Sequence, residues 1–297
     1  MRQGSISNRL LQALPASAYN ELRLHLKRVD LPLKSVLVQP NRVTSHVYFI
    51  ESGLGSVIAN SADGRSAEVG HIGFEGMAGS HVALMSRRTR STTLMQVAGS
   101  GLALPTERFA AVFEANDYAR RLFLRYVQSY QTQLACTALA NGGYTLHQRL
   151  ARWLLMSHDR LRSEEIPLTH EFLSIMLSVR RSGVTDNLHI LEGLHAIRSH
   201  RGMIHIKDRE KLLEIAGASY GAPEEEYERL IGSTLGSVSL ANEVGNASPT
   251  MPRTPTITVA PPSKPMCDPI AVRCWPSTGE SGSIDLPMIA CWAPGQA

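Results

Sequence analysis

Between residues 31 and 104 the chain is a succession of short β-type runs divided by turn signals, which restricts that stretch to an all-β barrel or roll. The runs are Val36-Leu37-Val38, Val47-Tyr48-Phe49-Ile50, Ser56-Val57-Ile58-Ala59 and Leu94-Met95-Gln96-Val97. Among them sit Pro40-Asn41, Ser52-Gly53, Asp63-Gly64 and Gly99-Ser100-Gly101. Asp63-Gly64 is the best hairpin candidate, because glycine accepts the positive φ that such turns require. Residues 7–29 read as helix: Leu10, Leu11, Leu14, Leu22, Leu26 and Val29 fall near helical spacing, with a break at Pro15.

Residues 106–140 return to helical periodicity. Asp117 can cap a helix running from Tyr118 to Ala140, about 34 Å long at 1.5 Å per residue. Phe123, Tyr126, Tyr130, Leu134 and Thr137 recur along it every three or four residues. A stripe this long exceeds what a small roll covers, so these five residues are the expected seam of a two-helix dimer. The alternative is a helix lying on its own roll. Asn141-Gly142-Gly143 is expected to end the helix and form a hinge.

Residues 146–230 form a second unit. Leu146 to Arg160 is amphipathic, with Leu150, Trp153 and Leu154 on one face. The segment Ile166 to Leu191 then has the layout of a helix–turn–helix. Thr169 can cap a first helix bearing Phe172, Leu173 and Met176, and Leu177-Ser178-Val179 makes a tight turn. Arg180-Arg181-Ser182 opens a second helix with Val184, Leu188 and Leu191 inward. Such a second helix fits the major groove with its N-terminal side chains at base edges. Arginines there can bind guanine O6 and N7 bidentately or clamp phosphates. Thr169, His170 and the first-helix amides suit a phosphate. A hairpin of Ala196–Ser199 and Met203–Ile206, turning at His200-Arg201-Gly202, would be a wing carrying Arg198, His200 and Arg201. The run Pro223 to Leu230, with four glutamates, is expected to be a solvated closing helix.

Composition narrows the function classes. The chain has 297 residues and a formal net charge of +4, carried by the part before residue 236. No window approaches the ~18 apolar residues of a membrane span, and residues 1–30 have no apolar signal core; a cytoplasmic location is the default expectation. Ten of the sixteen prolines lie in 236–297, which shows no sustained period and is expected to be disordered. The cysteines are Cys136, Cys267, Cys274 and Cys291, so the body lacks the clustered thiols of an iron–sulfur or structural zinc site. No metal site is expected, and His71 and His81 are read as core or solvated histidines.

Enzymatic motifs fail on inspection. His170-Glu171 begins a zinc-protease motif, but Ser174 stands where its second histidine belongs. Gly217-Ala-Ser219-Tyr-Gly221 has the letters of a hydrolase elbow, yet a helix precedes it where a strand is needed. The chain is therefore not read as an enzyme.

Pro167-Leu-Thr-His-Glu-Phe-Leu-Ser-Ile-Met-Leu-Ser-Val-Arg-Arg-Ser-Gly-Val-Thr and Arg201-Gly-Met-Ile-His-Ile-Lys-Asp-Arg resemble the Crp/Fnr superfamily of bacterial transcription regulators. Val47-Tyr-Phe-Ile-Glu-Ser-Gly adds weaker support, and the resemblance covers roughly residues 8–222. It implies an α+β chain: an N-terminal cyclic-nucleotide-binding-like β-roll (a jelly roll), a long dimerisation helix and a C-terminal winged helix–turn–helix. The corresponding boundaries are 1–116 for the sensor domain, 117–141 for the dimer helix and 142–222 for the DNA-binding domain. A closing acidic helix at 223–235 and the tail at 236–297 follow. The implied partners are double-stranded DNA, a second copy of the chain and RNA polymerase.

The resemblance implies Thr169, His170, Arg180, Arg181, Ser182, Thr185, Asp186 and Arg201 as DNA-binding residues. Asp186 stands where the cyclic-AMP receptor type has arginine; it can accept from cytosine N4 but cannot donate to guanine. In the roll, the family's phosphate cassette maps onto Gly76, Met77 and Gly79, with Arg90 and Ser91 downstream as the other ligand candidates. Met77 replaces the carboxylate that holds a ribose hydroxyl, and a thioether accepts hydrogen bonds too weakly to substitute. No cofactor is assigned, and a cyclic nucleotide is disfavoured against an unknown small ligand or none. The expectation is a sequence-specific homodimeric regulator; the rival is a small-ligand sensor acting through protein contacts.

Overall fold

The computed structural model describes residues 2–168 and 170–232, without the side chains of His170 and Glu171. Thr169 and the expected tail at 236–297 lie outside the described residues.

The N-terminal segment forms two short helices, α1 (Arg9–Ala13) and α2 (Ala16–Leu22), separated at Pro15. Asn8 starts α1: its Oδ1 accepts from Leu11 N at 3.2 Å, and its Nδ2 donates to Ile50 O and Gly76 O. The helical reading of 7–29 runs too long, because β1 (Lys27–Leu31) already belongs to the sheet, with Val29 opposite Gly101. That pairing lies some seventy residues away and leaves no local mark on residues 27–31.

The roll is an antiparallel sheet ordered β1, β6, β3, β4, where β3 is His46–Asn60, β4 is Ser66–Ile72 and β6 is Thr92–Pro105. Short strands β2 (Val36–Val38) and β5 (Met77–Ala78) add to β6 and β3 respectively. The two long strands stay paired through register shifts between Ile50 and Gly55, where the pair bends. Gly99 permits this crossing, since a Cβ there would overlap Ser52 O. The hairpin at Asp63-Gly64 forms as expected, with Gly64 at φ 83° and Ser61 N bonded to Arg65 O.

After α3 (Thr106–Ala115), the long helix α4 spans Asp117–Gly143. Its cap is Asn116, whose side chain accepts from Ala119 N, rather than Asp117. It extends past the expected Ala140 and ends within Asn141-Gly142-Gly143, at Gly143, with the break at Tyr144-Thr145.

The larger correction concerns the face of α4. Phe123 and Tyr126 are fully packed in the chain's own core, with Phe109, Phe49 and Met77. Tyr130 stacks on Tyr126 and lies against Gly70, Leu134 packs beside it, and Thr137 Oγ1 accepts from Arg152. The expected dimer seam therefore faces inward, and the helix lies on its own roll. Burying large side chains of this kind is worth roughly 1.5–3 kcal/mol each, and the roll supplies that burial. The outward face instead carries Arg121, Leu124, Gln128, Gln131, Ala135 and Leu139. These recur at alternating steps of three and four, apart from one residue's slip at Leu139.

The second half begins with α5 (Leu146–Leu161), whose start is fixed by Thr145 N donating to Gln148 Oε1 at 3.1 Å. Strand β7 (Glu165–Pro167) leads into α6 (His170–Leu177) and α7 (Arg181–Gly193). Strands β8 (Ile197–His200) and β9 (Met203–Ile206) form a hairpin to which β7 adds as a third strand. Then come α8 (Arg209–Ala216) and α9 (Ala222–Leu230). Leu150, Leu154, Leu173, Leu177, Val184, Leu188 and Ile204 meet in one core.

α9 is not merely solvated. Tyr227 and Ile231 join the core of the roll, Tyr227 Oη donates to Glu75 O at 2.7 Å, and Arg9 pairs with Glu228 at 2.6 Å. Glu225 and Glu228 are exposed, whereas the Glu224 carboxylate is turned inward, and the apolar side of the helix returns to α4.

Candidate nucleic-acid interface

The two helices α6 and α7 are joined by a three-residue turn at Ser178, whose φ of 53° is left-handed. Ser178 N bonds to Ile175 O and Val179 N to Ser174 O, so the backbone closes α6 without help from a glycine. Arg149, on α5, donates to Leu177 O at 2.6 Å and sets a cation at the C-terminus of α6. Burial holds the Arg149 guanidinium below its ordinary range. Val184, Leu188 and Leu191 then anchor α7 on the module's core.

This anchoring leaves one face of α7 in solvent. Arg180 precedes the helix in extended conformation, and Arg181, Ser182 and Asp186 are exposed on its first turns. Thr185 is half-buried, with its Oγ1 donating to Arg181 O at 3.2 Å. His170 opens α6. Arg201 is exposed at the tip of the β8–β9 hairpin, beside exposed Arg198 and His200. The hairpin turn has two residues, Arg201 and Gly202 at φ 45° and 79°, rather than the expected three, because His200 still pairs with Met203.

One exposed residue of this face escaped the sequence reading. His189 lies two turns beyond Arg181 and one turn beyond Thr185. The i, i+4, i+8 spacing was available in the sequence, but a histidine near the middle of an amphipathic helix carries no signal of its own.

The hydrolase-like letters are spent structurally. Ser219 is buried in a 3-10 turn after α8, its Oγ donating to Ala216 O at 2.7 Å, so no strand-to-helix elbow presents it. Among the described residues, no cluster of three or more His, Cys, Asp or Glu is placed to hold a metal. His81 Nε2 lies 2.9 Å from Thr44 Oγ1, and His71 sits edge-on to Trp153 at 5.1 Å beside Glu68.

The roll's ligand candidates do not assemble into a phosphate cradle. Met77 is fully buried among apolar side chains, its N–H donating to Tyr126 Oη at 3.1 Å. Gly76 is closed over by the same ring, since a Cβ there would lie 2.9 Å from Tyr126 Cζ. Gly79 is buried at φ 92°, whereas Arg90 is exposed and Ser91 half-buried. The space facing this backbone is thus filled by α4, and the cyclic nucleotide implied by the roll does not fit the residues present.

The reading module also touches the roll. Trp153, on α5, donates through Nε1 to Glu68 Oε1 of β4 at 2.9 Å. Glu68 in turn lies against Ser56 Oγ, whose single O–H sits between the Glu68 carboxylate and Gln96 Oε1. Gln96 Nε2 reaches Met176 Sδ of α6, and Lys34 stands over the Phe172 ring at 5.6 Å.

Comparison with known proteins places this geometry. Residues 148–215 match the Crp-like helix-turn-helix domain. FixK2 from Bradyrhizobium japonicum has the same fold, with a TM-score of 0.57 at 14% identity, covering 65% of this chain and 98% of that one. A transcriptional regulator of the CRP family from Thermus thermophilus gives 0.55 at 20% identity, covering 66% and 99%. The c-di-GMP responsive global regulator CLP of Xanthomonas campestris gives 0.54 at 15%, covering 65% and 99%. No curated protein matches in sequence. A winged helix–turn–helix joined to an antiparallel roll defines the class: a DNA-binding transcription regulator. Residues 148–215 thus carry a Crp-like helix-turn-helix domain, and the chain shares its fold with regulators of the Crp type.

Among the described residues, no helix is long and apolar enough to cross a membrane.

Proposed function

We propose that the chain acts as a homodimer on a palindromic DNA site, without catalysis of its own. In this reading residues 1–116 sense, 117–141 pair with a second copy, 142–222 read DNA, and 223–235 close the module. The observation that carries it is the exposed face of α7, where Arg181, Ser182 and Asp186 project from a helix whose opposite side is fully anchored.

Arg181 would donate to guanine and Asp186 accept from cytosine N4, a combination that fixes half-site preference. Arg180, Ser182, Thr185, His189 and Arg201 would position the backbone or flanking bases, with Thr169 and His170 at a phosphate. The dimer seam moves to the outward face of α4, at Leu124, Gln128, Gln131, Ala135 and Leu139. Two α7 helices about 34 Å apart would then meet successive major grooves. RNA polymerase is the further partner in this reading.

Contacts of α6 and α5 with the roll support a regulatory role for the roll. A signal that weakens them would shift the population of module orientations. The cytoplasm is the compartment such a regulator works in.

The test is selection of bound duplexes from a random library by the purified full chain, followed by sequencing. Enrichment of an inverted repeat supports the reading. Enrichment of a single half-site without symmetry, or none at any ionic strength, counts against it.

A further inference from the structure

A cavity of about 260 Å³ lies where the roll, α4, α5 and α9 meet. Its apolar walls are the rings of Phe74, Tyr126, Tyr130, Tyr220 and Tyr227. Its charged lining is unbalanced: Glu75, Asp159, Glu224 and Glu228 against Arg9 and Arg160. One wall is α9, which lies beyond the residues matching the family's helix-turn-helix domain. Gly76, Met77 and Gly79 do not line this space, although Tyr126, which closes over them, forms part of its wall.

Most of these charges are already satisfied. Arg160 donates to Glu75 at 2.8 Å and to Met156 O at 3.1 Å. Asp159 pairs with Arg209 at 2.9 Å and accepts from Tyr220 Oη. Glu228 pairs with Arg9 at 2.6 Å. Glu224 is the exception. Both its carboxylate oxygens are buried without a hydrogen bond, and its nearest cation, Arg160, stands off at 3.6 Å. A buried carboxylate without donors costs free energy that a ligand donor would recover.

We propose that this cavity binds a small aromatic amine. The ammonium would donate to Glu224, a charge-assisted bond of the stronger kind. The flat ring would lie against the tyrosines, whose faces also favour a nearby cation. An acid of the same shape would meet a surplus of carboxylates and be rejected.

The experiment is isothermal titration calorimetry of the full chain with tryptamine, tyramine and phenethylamine, beside indole-3-acetate, 4-hydroxyphenylacetate and phenylacetate. The expected result is one-to-one binding of at least one amine with a dissociation constant below about 1 mM, and at least tenfold weaker binding of its matched acid. Glu224→Gln should weaken the amine by about tenfold, while Glu225→Gln, an exposed neighbour, should not. If Glu224→Gln fails to fold, as judged by its unfolding transition, the amine-to-acid comparison on the unaltered chain carries the test. Absence of binding by all three amines, equal binding of amine and acid, or an unchanged affinity in folded Glu224→Gln would each overturn the proposal. No DNA enters the measurement, so the result stands apart from the reading of α7.

Discussion

Trp153 Nε1 donates to Glu68 Oε1 at 2.9 Å, joining the first helix of the reading module to strand β4 of the roll. Both side chains are buried, 5% exposed each, so the carboxylate relies on its protein donors. Trp153→Phe keeps the ring's bulk in part but removes the N–H. The expected loss is about 1.5–3 kcal/mol of unfolding free energy, because a charged acceptor is left short of a donor. Denaturant titration checks it; a change within error would show that the bond contributes nothing net.

The inward turn of Phe123 and Tyr126 leaves α4 only its outer face for a partner. Leu124 is 40% exposed and Leu139 63% exposed. Replacing both by glutamate should leave the monomer folded and shift sedimentation towards the monomer at micromolar concentration. A dimer of undiminished strength would place the seam elsewhere.

How far the molecule was legible in its sequence follows from the range of the contacts. The roll, the helix–turn–helix and the wing were readable because their signals are local: the Asp63-Gly64 turn, the Arg180-Arg181 start and the Arg201-Gly202 turn. The stripe on α4 is one apolar face, as its spacing predicts, but the roll rather than a second helix covers it at Phe123 and Tyr126. Its partners, Gly70, Met77 and Phe49, lie fifty to eighty residues away, and periodicity reports that a face is apolar without saying against what. The two glycines at 142 and 143 cost a helix about 1 kcal/mol each, and α4 ends at the second of them. The exposed positions of α7, which are proposed to face DNA, follow from spacing, with His189 the exception. The cavity at α9 does not, since its walls come from five separate segments.

Ser178 holds a left-handed φ of 53° in an exposed turn. Glycine adopts that conformation without the Cβ penalty. Ser178→Gly is expected to raise stability by about 0.5–1 kcal/mol and to leave DNA affinity unchanged. Destabilisation in thermal unfolding would mean that the serine side chain supports the turn.

Burial lowers the His81 pKa below its ordinary value. The unfolded chain therefore takes up this proton first as pH falls, at about 6.5. Stability from this group is fully present above that value. It is lost as pH falls through the unfolded pKa towards the lower folded one. His81→Asn should flatten the dependence of the melting temperature on pH between about 7 and 5. An unaltered slope would assign the acid sensitivity to other groups.

In the proposed function α7 reads bases while the wing holds the backbone. The most direct measurement is fluorescence anisotropy with the selected duplex and a mismatched one, across a salt series, for the unaltered chain, Arg181→Ala and Arg201→Ala. Arg181→Ala should lose about 1–3 kcal/mol on the selected duplex and much less on the mismatched one. Arg201→Ala should weaken both alike and lower the salt slope by about one. Equal losses on both duplexes for Arg181→Ala, with no change in discrimination, would contradict the account.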